Sequence, residues 1–420
     1  MVSMLCLVLA AERFDVSRFE NAAALAPVVW ARSPELHDAR ARVAEAVAQS
    51  DRALLLPNPG LDLSVNTLPV GPLNPTTLEQ PFLNVPNVAV GVSMLLEVGK
   101  RGPRQSAAKD AARAASLDAL EQLRQRTLAL EDTIGDIAAA EVRVATLTEL
   151  AGDAERLAAL QRARAEAGDA SALDADRARL EQQSVLTELG EAREMLSVGL
   201  RACGAAVAMP CVPFGDPERA AAWLHRERES DASEVAQRPD VRSLEAVEAS
   251  ARGAQVLAER SAVPDPTVRV GYVHDRFVIS GNQQNSLFVG VGFPLPVFDR
   301  GQPEAQAAAV SAASASRART AVVASAAAQL ERLAIERGSV EARLTELRDT
   351  TVPLARSVVE RLDIAVRRGA TPLPELLLAR RTYAELVLAA NDLDRARFHL
   401  RVERSRLSGT DFPKELNDVH

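Results

Sequence analysis

Aromatic residues are scarce in this chain of 420 residues, since Phe, Trp and Tyr together make up only 3%. Hydrophobic residues still account for 47% of the sequence, and Ala, Leu, Arg and Glu are abundant. Small or unbranched side chains with few rings are typical of long, packed helices rather than of a broad core around a ligand pocket. The composition therefore predicts a mainly α protein with a small β part.

Long apolar runs and a surplus of basic charge are also missing. A bilayer-spanning helix needs about 20 apolar residues, and no run of even about 18 occurs, which excludes such a helix and leaves soluble proteins and membrane β-barrels. The net charge is -8, from 49 Lys and Arg against 57 Asp and Glu. This balance argues against a nucleic-acid partner.

Cysteine is rare, and two of the three residues, Cys203 and Cys211, lie close together in a segment with Pro and Gly. A disulfide between them would close a small ring in an oxidising compartment, and two separate small apolar residues are the alternative. The five His residues are scattered. No zinc spacing, nucleophile motif, phosphate loop or dinucleotide fingerprint occurs in its proper context. We therefore predict no enzyme activity, no metal site and no cofactor.

The first residues, Met1 to Ala11, are apolar but lack the positive start and the clear cleavage site of a signal peptide. They are compatible with a remnant of one. Cys6 follows a poor match to a lipoprotein cleavage site, so cleavage and lipidation stay open at this end.

The most informative feature is a repeat at a spacing of about two hundred residues. Three segments of the first half return in the same order in the second half, namely Pro57-Asn58-Pro59, Val90-Gly91-Val92 and Arg101-Gly102, followed by Pro264-Asp265-Pro266, Val289-Gly290-Val291 and Arg300-Gly301. The offsets are 207 (264 minus 57), 199 (289 minus 90) and 199 (300 minus 101). A unit of this length indicates a duplicated supersecondary block.

Each block is predicted to begin with a helix and to continue with two strands. The first helix runs from Pro34 to about Leu56 with Ser33 as its N-cap, and its counterpart starts at Pro239. Apolar residues then alternate with small or polar ones in four segments, at 61–66, 88–94, 267–272 and 287–293. Turn-rich loops at 69–86 and 279–285 join the strands into two pairs.

A long helical hairpin follows each strand pair. The first long helix extends to about Glu166, and a length of about 60 residues corresponds to roughly 90 Å. Two series of residues at alternating spacings of 4 and 3 predict helix seams: Leu123, Thr127, Leu130, Ile134 and Ile137 in the first, and Val340, Leu344, Leu347, Thr351, Leu354 and Val358 in the second. Gly168 and Gly369 are expected as helix C-caps, and Pro353 should kink the second long helix.

These features divide the chain into five segments: an N-terminal segment 1–20, a first repeat 21–200, an irregular linker 201–235 with a short helix near Trp223, a second repeat 236–408 and a C-terminal tail 409–420. Alternation alone favours a soluble two-sheet core, whereas the long loops and helices favour strands that cross an outer membrane. Because four strands cannot close a barrel, oligomerisation would have to satisfy the open strand edges, and three copies would supply 12 strands.

The chain resembles the TolC-like outer-membrane efflux proteins over about residues 20 to 408. The resemblance rests on the duplicated order of elements, on the two Pro-Asn-Pro and Pro-Asp-Pro strand starts, and on the segment Val291-Gly292-Phe293-Pro294-Leu295-Pro296-Val297-Phe298-Asp299-Arg300-Gly301. That segment is most similar to the heavy-metal efflux branch, the CzcC-like proteins. The resemblance implies a homotrimeric duct, with a β-barrel in outer-membrane lipid and a helical barrel in the periplasm. Its partners would be a periplasmic adaptor and an inner-membrane RND-type pump.

The resemblance also implies site residues near the hairpin ends. The acidic position that faces the pore constriction corresponds to Glu375 and Asp174, whereas the next acidic position of the family falls on Leu378 and Arg177. A ring of carboxylates would attract cations. Alternatively, the two carboxylates only stabilise the N-termini of their helices, and this interpretation stays equally open. The adaptor would contact the turns, at Ala167, Gly168, Asp169, Arg368, Gly369 and Ala370.

A different class remains open beside the channel, namely a soluble periplasmic coiled-coil adaptor or scaffold protein. Such proteins also contain long hairpins and short strands. Alternation along all four strands and two equivalent hairpins in one chain favour the channel. The exported compound, a metal cation or a small toxic molecule, cannot be read from these residues.

Overall fold

The computed structural model describes residues 13–19, 22–70, 79–226, 235–276 and 283–408. Several predicted segments fall partly outside these residues. They are most of the N-terminal segment 1–20 with Cys6, the middle of both strand loops, residues 227–234 of the linker, and the tail 409–420.

The described residues are mainly helical. The α-helices are α1 (Ala22–Arg32), α2 (His37–Leu54), α3 (Pro81–Asn84), α4 (Arg101–Glu166), α5 (Ala172–Val207), α6 (Pro217–His225), α7 (Pro239–Glu259), α8 (Gln302–Glu346), α9 (Val352–Arg367) and α10 (Leu373–Ser408). A π-helix, Leu347–Thr351, connects α8 to α9, and short 3-10 turns occupy Val16–Arg18, Pro34–Leu36, Val235–Gln237 and Arg260–Ala262.

The strands are β1 (Phe14–Asp15), β2 (Gly60–Asn66), β3 (Asn87–Leu95), β4 (Cys211–Val212), β5 (Thr267–His274) and β6 (Asn285–Gly292). In both halves of the chain, a helix is followed by two of the longer strands and then by long helices, which are α4 and α5 in the first half and α8, α9 and α10 in the second. The short parallel pair β1 and β4 was not predicted.

Three local predictions need correction. Helix α1 was not anticipated, and residues Pro34–Leu36 form a 3-10 turn before α2 begins, with no hydrogen bond from the side chain of Ser33. Helix α5 continues to Val207, so the irregular segment starts at Ala208 rather than at 201. Gly204 lies within this helix and not at its end. The backbone of Met209 comes close to it, since a Cβ at Gly204 would lie 3.0 Å from the carbonyl oxygen of Met209.

The chain forms two compact units, each with residues from both sequence repeats. One unit comprises Met1–Ala41, Ser116–Arg242 and Thr320–His420, and the other comprises Arg42–Ala115 and Ser243–Arg319. The first unit contains most of the hairpin helices, and the second contains the four long strands.

The predicted seam of the first long helix is confirmed. Its members are all at most 1% exposed, and they are Leu123, Thr127, Leu130, Ile134 and Ile137. Thr127 satisfies its hydroxyl within the helix, since its Oγ1 donates to the carbonyl oxygen of Leu123 at 2.8 Å. A polar residue can therefore occupy this apolar seam without an unpaired donor.

A glycine in α4 makes room for an aromatic cluster. A Cβ at Gly135 would lie 2.3 Å from Cε1 of Phe398, so the ring of Phe398 packs directly on the helix backbone. The ring centroid of Phe398 is 5.0 Å from that of Trp223 on α6, and the indole nitrogen of Trp223 donates to the carbonyl oxygen of Phe19 at 3.1 Å. Few aromatics are present in the chain, and these ones join α4, α6 and α10.

We expect Gly135→Ala to lower the free energy of unfolding by about 1–3 kcal/mol, because the added methyl displaces a ring held on its other side by Trp223. Gly190→Ala is the matched control, since nothing lies within 4 Å of a Cβ at that helical glycine. It should be neutral or stabilise by up to about 1 kcal/mol. Thermal and denaturant unfolding of the two purified variants measure the difference, and equal stabilities would contradict this account of the cluster.

The second seam is only partly as predicted. Leu344 is buried, but Leu354 and Val358 are 62% and 40% exposed. The π-helix Leu347–Thr351 just before Pro353 adds one residue to the turn, and the inward face therefore moves on by one position. Beyond it, Val359, Leu362 and Val366 pack inward. The interruption at Pro353 is confirmed, but it takes the form of a π-helix that shifts the seam.

The four long strands form one antiparallel sheet in the order β2-β3-β5-β6. The predicted two pairs are therefore joined, since β3 pairs with β5 from Val88 opposite His274 to Leu95 opposite Thr267. Asp265 of the Pro-Asp-Pro segment supports this junction by accepting hydrogen bonds from the backbone N–H of Val98 at 2.9 Å and from Nζ of Lys100 at 2.8 Å. Its counterpart in the first repeat is Asn58, so the support is specific to the second half.

Candidate functional site

The two hairpin ends have the same backbone geometry. Gly168 and Gly369 have φ values of +82° and +70°, which a side chain would strain. At the first end the N–H of Asp169 donates to the carbonyl oxygen of Arg164 at 2.8 Å, and at the second the N–H of Ala370 donates to that of Ala365 at 2.9 Å. These bonds satisfy the last carbonyls of each helix, and the predicted C-cap role of both glycines is confirmed.

The six residues predicted to contact an adaptor are all exposed, namely Ala167, Gly168, Asp169, Arg368, Gly369 and Ala370. Their exposure follows from the turn geometry, which directs the side chains away from the helices. Contact with an adaptor stays a prediction.

An apolar cluster holds the two hairpin ends side by side. It contains buried residues of α4, α5, α9 and α10, namely Leu157, Ala158, Ala178, Val366, Leu373 and Leu376. Leu376 is fully buried and directly follows Glu375, and Ala178 lies one turn after Asp174. The cluster therefore fixes the first turns of α5 and α10, and it brings both predicted acidic positions to the same end of this unit.

The two acidic positions differ in their partners. Asp174 stands in the first turn of α5, where its N–H donates to Oγ of the N-cap Ser171 at 3.1 Å, and its carboxylate lies 3.6 Å from the guanidinium of Arg177. Glu375 is exposed, and its carboxylate has no hydrogen bond or ion pair within the part of the chain that the structure describes. Glu375 is thus the free carboxylate of the pair, whereas Asp174 is partly neutralised by Arg177.

A layer of charges that sequence reasoning missed lies beside this cluster. Arg380 donates to the carboxylate of Asp363 and to the backbone carbonyl of Asp153, at 3.3 and 3.4 Å, and Arg367 also pairs with Asp363 at 2.8 Å. Burial raises the pKa of Glu181 on α5, although the nearby Arg381 partly offsets this effect. Arg367 and Asp363 are four residues apart within α9. The contacts of Arg380 with Asp153 and of Arg381 with Glu181 join residues about two hundred positions apart, so no local spacing could reveal them.

The two cysteines of the linker region are joined in a disulfide, Cys203–Cys211, with their Cα atoms 6.0 Å apart. Glu141 of α4 binds the same loop, because its carboxylate accepts from the N–H groups of Phe214 and Gly215, each at 3.1 Å. Burial raises the pKa of Glu141 even though the two backbone bonds favour its charged form. The loop is therefore held covalently to α5 and by a buried carboxylate to α4.

A histidine links α4 and α10. Nε2 of His399 is 3.0 Å from the carboxylate of Asp136, and Nδ1 contacts the carboxylate of Asp132. Hydrogen bonds to Asp132 and Asp136 raise the pKa of His399 to about 9 despite its partial burial. Arg395 also donates to Asp136 at 2.7 Å. Burial acts to raise the pKa of the Asp136 carboxyl, but the hydrogen bonds from His399 and Arg395 outweigh burial, and the pKa is lowered.

We expect this cluster to make stability depend on pH. The folded pKa of His399 lies above its ordinary value of 6.5, so its contribution is fully present below about pH 6.5 and is lost as the pH rises through about 9. His399→Gln should therefore lower the melting temperature at about pH 6 and have little effect above about pH 10. Melting temperatures across this range measure the difference, with His37→Gln, at the exposed start of α2, as the control. A difference that grows with pH would contradict the assignment.

The four-stranded sheet has two faces of opposite character. One face carries large apolar side chains in every strand, namely Leu61, Leu63, Val65, Val88, Val90, Val92, Met94, Val268, Val270, Tyr272, Leu287, Val289 and Val291. Several are strongly exposed, for example Leu63 at 71% and Leu287 at 81%. The other face holds mainly small or polar residues, with Asp62 and Arg269 as its charged members. The cross-strand register confirms that the predicted alternation belongs to one continuous sheet.

Within the described residues, no group of His, Cys, Asp and Glu could hold a metal ion. None of the helices described is both long and apolar enough to cross a membrane.

No protein-family model matches the chain, and no curated protein matches it significantly. Several solved structures do match. A CusC structure, described for conformational changes accompanying folding and transmembrane channel formation, is 15% identical with a TM-score of 0.74, and the match covers 92% of this chain and 91% of CusC. The outer membrane protein VceC of Vibrio cholerae is 17% identical with a TM-score of 0.73, covering 93% of this chain and 97% of VceC.

The outer membrane channel CmeC of Campylobacter jejuni is 16% identical with a TM-score of 0.72, and the match covers 95% of this chain and 87% of CmeC. CusC and CmeC are thus described as channels rather than as enzymes. At these identities the likeness establishes the fold. The chain has the fold of these outer-membrane channel proteins along nearly its whole length.

Proposed function

We propose that this protein is the outer-membrane channel component of a tripartite efflux system. Three copies form a passive duct with the strands in the outer membrane and the helices in the periplasm. An inner-membrane pump of the RND type supplies the energy, and a periplasmic adaptor connects the pump to the channel.

The observation that carries this proposal is the exposed apolar face of the sheet. Large apolar side chains occupy matching register positions in all four strands, and many of them are more than half exposed in the single chain. A face of this size in water would drive association, whereas lipid would cover it at no cost. The likeness in fold to outer-membrane channels points in the same direction.

The outer strands support assembly from several copies. Within the described residues, β2 pairs only with β3, and β6 pairs only with β5. A backbone N–H or C=O group without a hydrogen bond in lipid costs about 2 kcal/mol or more. Pairing of β2 with β6 of a neighbouring copy removes both edges, and three copies then give a closed sheet of 12 strands.

The alternative, a soluble periplasmic adaptor or scaffold, fits the hairpins but not the sheet. A soluble protein of this fold would have to cover the exposed apolar face with another part of itself. The chain also contains two hairpins, and their ends meet in one apolar cluster. Both features favour the channel.

The cargo is a metal cation or a small toxic compound. Likeness of the segment around Val291-Gly292-Phe293 to the CzcC-like branch supports metal ions. The unpaired carboxylate of Glu375 supports a cation preference at the helical end, with Asp174 as the weaker second member of the pore constriction. On the polar face of the sheet the charges of Asp62 and Arg269 offset each other, so a cation preference would arise from the hairpin ends.

We expect the full-length protein to need detergent to stay monodisperse and to form channels with cation preference in planar bilayers. Glu375→Gln should reduce the cation-to-anion permeability ratio by about twofold or more, because a ring of three free carboxylates is lost. Asp174→Asn should have a smaller effect, since Arg177 already offsets that charge. Reversal potentials in a salt gradient measure both ratios.

Glu336→Gln is the control for loss of a charge elsewhere, because Glu336 pairs with Arg332 on the exposed face of α8. The outcomes separate two claims. A protein that is monomeric and monodisperse without detergent and gives no conductance would contradict the channel. Channels whose permeability ratio is unchanged by Glu375→Gln would refute the role of Glu375 alone.

The adaptor contact at the hairpin ends is tested by cross-linking. A cysteine at Asp169 or at Ala370 should cross-link to the co-expressed adaptor, because both positions lie at exposed turns. A cysteine at Glu336 serves as the control within a helix. Cross-links from Glu336 but not from the turns would show that the adaptor docks elsewhere.

A further inference from the structure

One aromatic ring lies on the polar face of the sheet. Strand β6 places Phe288 on the same face as Ser286, Gly290 and Gly292, where the register puts mainly small or polar residues and, in the row next to the ring, Val273 and Ala89. Within the described strands it is the only aromatic residue of this face, since Tyr272 belongs to the apolar face. A large apolar ring on a face of mainly small or polar residues requires an explanation.

Two glycines form a trough for this ring. Phe288 lies opposite Gly271 of β5, which in turn lies opposite Gly91 of β3. A Cβ at Gly271 would be 2.5 Å from Cε1 of Phe288, and a Cβ at Gly91 would be 3.2 Å from Cζ. The ring therefore lies flat across the backbone of two strands, in space that exists because both residues lack a side chain.

The flat orientation leaves one side of the ring without a cover. Phe288 is half-buried, and the strand face above it contributes no further side chain from Gly91 or Gly271. Asp62 closes the same row on β2, and Arg269 stands in the adjacent row beside Gly290. The row on the other side of the ring contains Val273 and Ala89. The ring is thus an apolar platform on a face of mainly small or polar residues, and flat organic molecules can bind such a ring by stacking.

We propose that Phe288, seated in the trough of Gly91 and Gly271, is a contact site for permeating organic solutes with a flat apolar group. The site rests on the proposed channel, in which the polar face of the sheet lines the water-filled passage. It favours organic compounds over hydrated metal ions, because the water shell of a hydrated ion keeps the ion away from the ring face, whereas a flat apolar group stacks on it directly.

The experiment compares two monovalent blockers with the same charged head, benzyltrimethylammonium and tetramethylammonium, on the reconstituted full-length channel. In the wild type the benzyl compound should block the ion current at a concentration about two- to tenfold lower, because its ring stacks on Phe288. Phe288→Leu keeps an apolar side chain without a ring face and should bring the ratio close to one. Phe288→Tyr keeps the ring and should keep the wild-type ratio.

Val289→Leu is the matched control, because Val289 is the next residue of the same strand and belongs to the apolar face. It should leave the ratio unchanged. A Phe288→Leu channel with the wild-type ratio would overturn the proposal, and lower stability of that variant would then show that the ring only shields the glycine backbone. Equal block by the two compounds in the wild type would also overturn it.

A second variant decides the matter if Phe288→Leu fails to assemble. Gly91→Ala keeps the ring but removes part of its trough, since the added methyl lies 3.2 Å from Cζ. The ring should then lift from the sheet, and the ratio should change by about twofold or more. An unchanged ratio would overturn the proposal. A wild-type protein without any conductance would instead refute the channel on which the site rests.

Discussion

The unpaired edges and the exposed apolar face of the four-stranded sheet are the constraint on which the rest of this molecule depends. Within the described residues, β2 and β6 each pair on one side only, and Leu61, Leu63, Leu287 and Val289 are more than two-thirds exposed. A single chain could not accommodate both features in either environment, because the strand edges are open to association in water and leave backbone groups unpaired in lipid. The proposed placement of the sheet in lipid, with its edges paired to further copies of the chain, would satisfy both features and would account for the small number of strands and their regular alternation.

The unit that contains most of the hairpin helices packs closely although the chain has few aromatic residues. Alanine and glycine allow helix backbones to approach, and two of the aromatic rings pack directly against a glycine. Phe398 packs on Gly135, and in the sheet Phe288 packs on Gly271 by the same principle. Charged residues also join the helices, as His399 of α10 does by contacting Asp132 and Asp136 of α4.

The elements that could be predicted from sequence are those with a strong period. The seam from Leu123 to Ile137 and the alternation of the strands follow directly from side-chain spacing, and both agree with the structure. The turns at Gly168 and Gly369 were predictable because a positive φ favours glycine. The same reasoning was wrong at Leu354 and Val358, because a spacing rule assumes a constant number of residues per turn and the π-helix breaks that assumption.

Contacts between distant segments could not be predicted. The joining of β3 to β5, the hydrogen bond from Arg380 to Asp153 and the pairing of His399 with Asp132 depend on residues far apart in sequence, for which a single chain gives no spacing signal. The predicted acidic positions were found by counting from the turn glycines. Counting placed Glu375 and Asp174 correctly near the hairpin ends, but it could not show that Arg177 pairs with only one of them.

The two halves of the chain therefore share an order of elements while differing in mechanics. Within the described residues, the π-helix beside Pro353, the Asp265 support at the strand junction and the unpaired carboxylate of Glu375 all belong to the second half. A π-helix inserts one residue into a helix that otherwise packs by a regular seam, so a change at this point moves the inward face of α9 without breaking α8. The apolar cluster at the hairpin ends takes Val366 from α9 and Leu376 from α10. Movement of α9 would thus reach the turn that precedes Glu375, whereas the first hairpin, with its continuous α4, offers no equivalent point of adjustment.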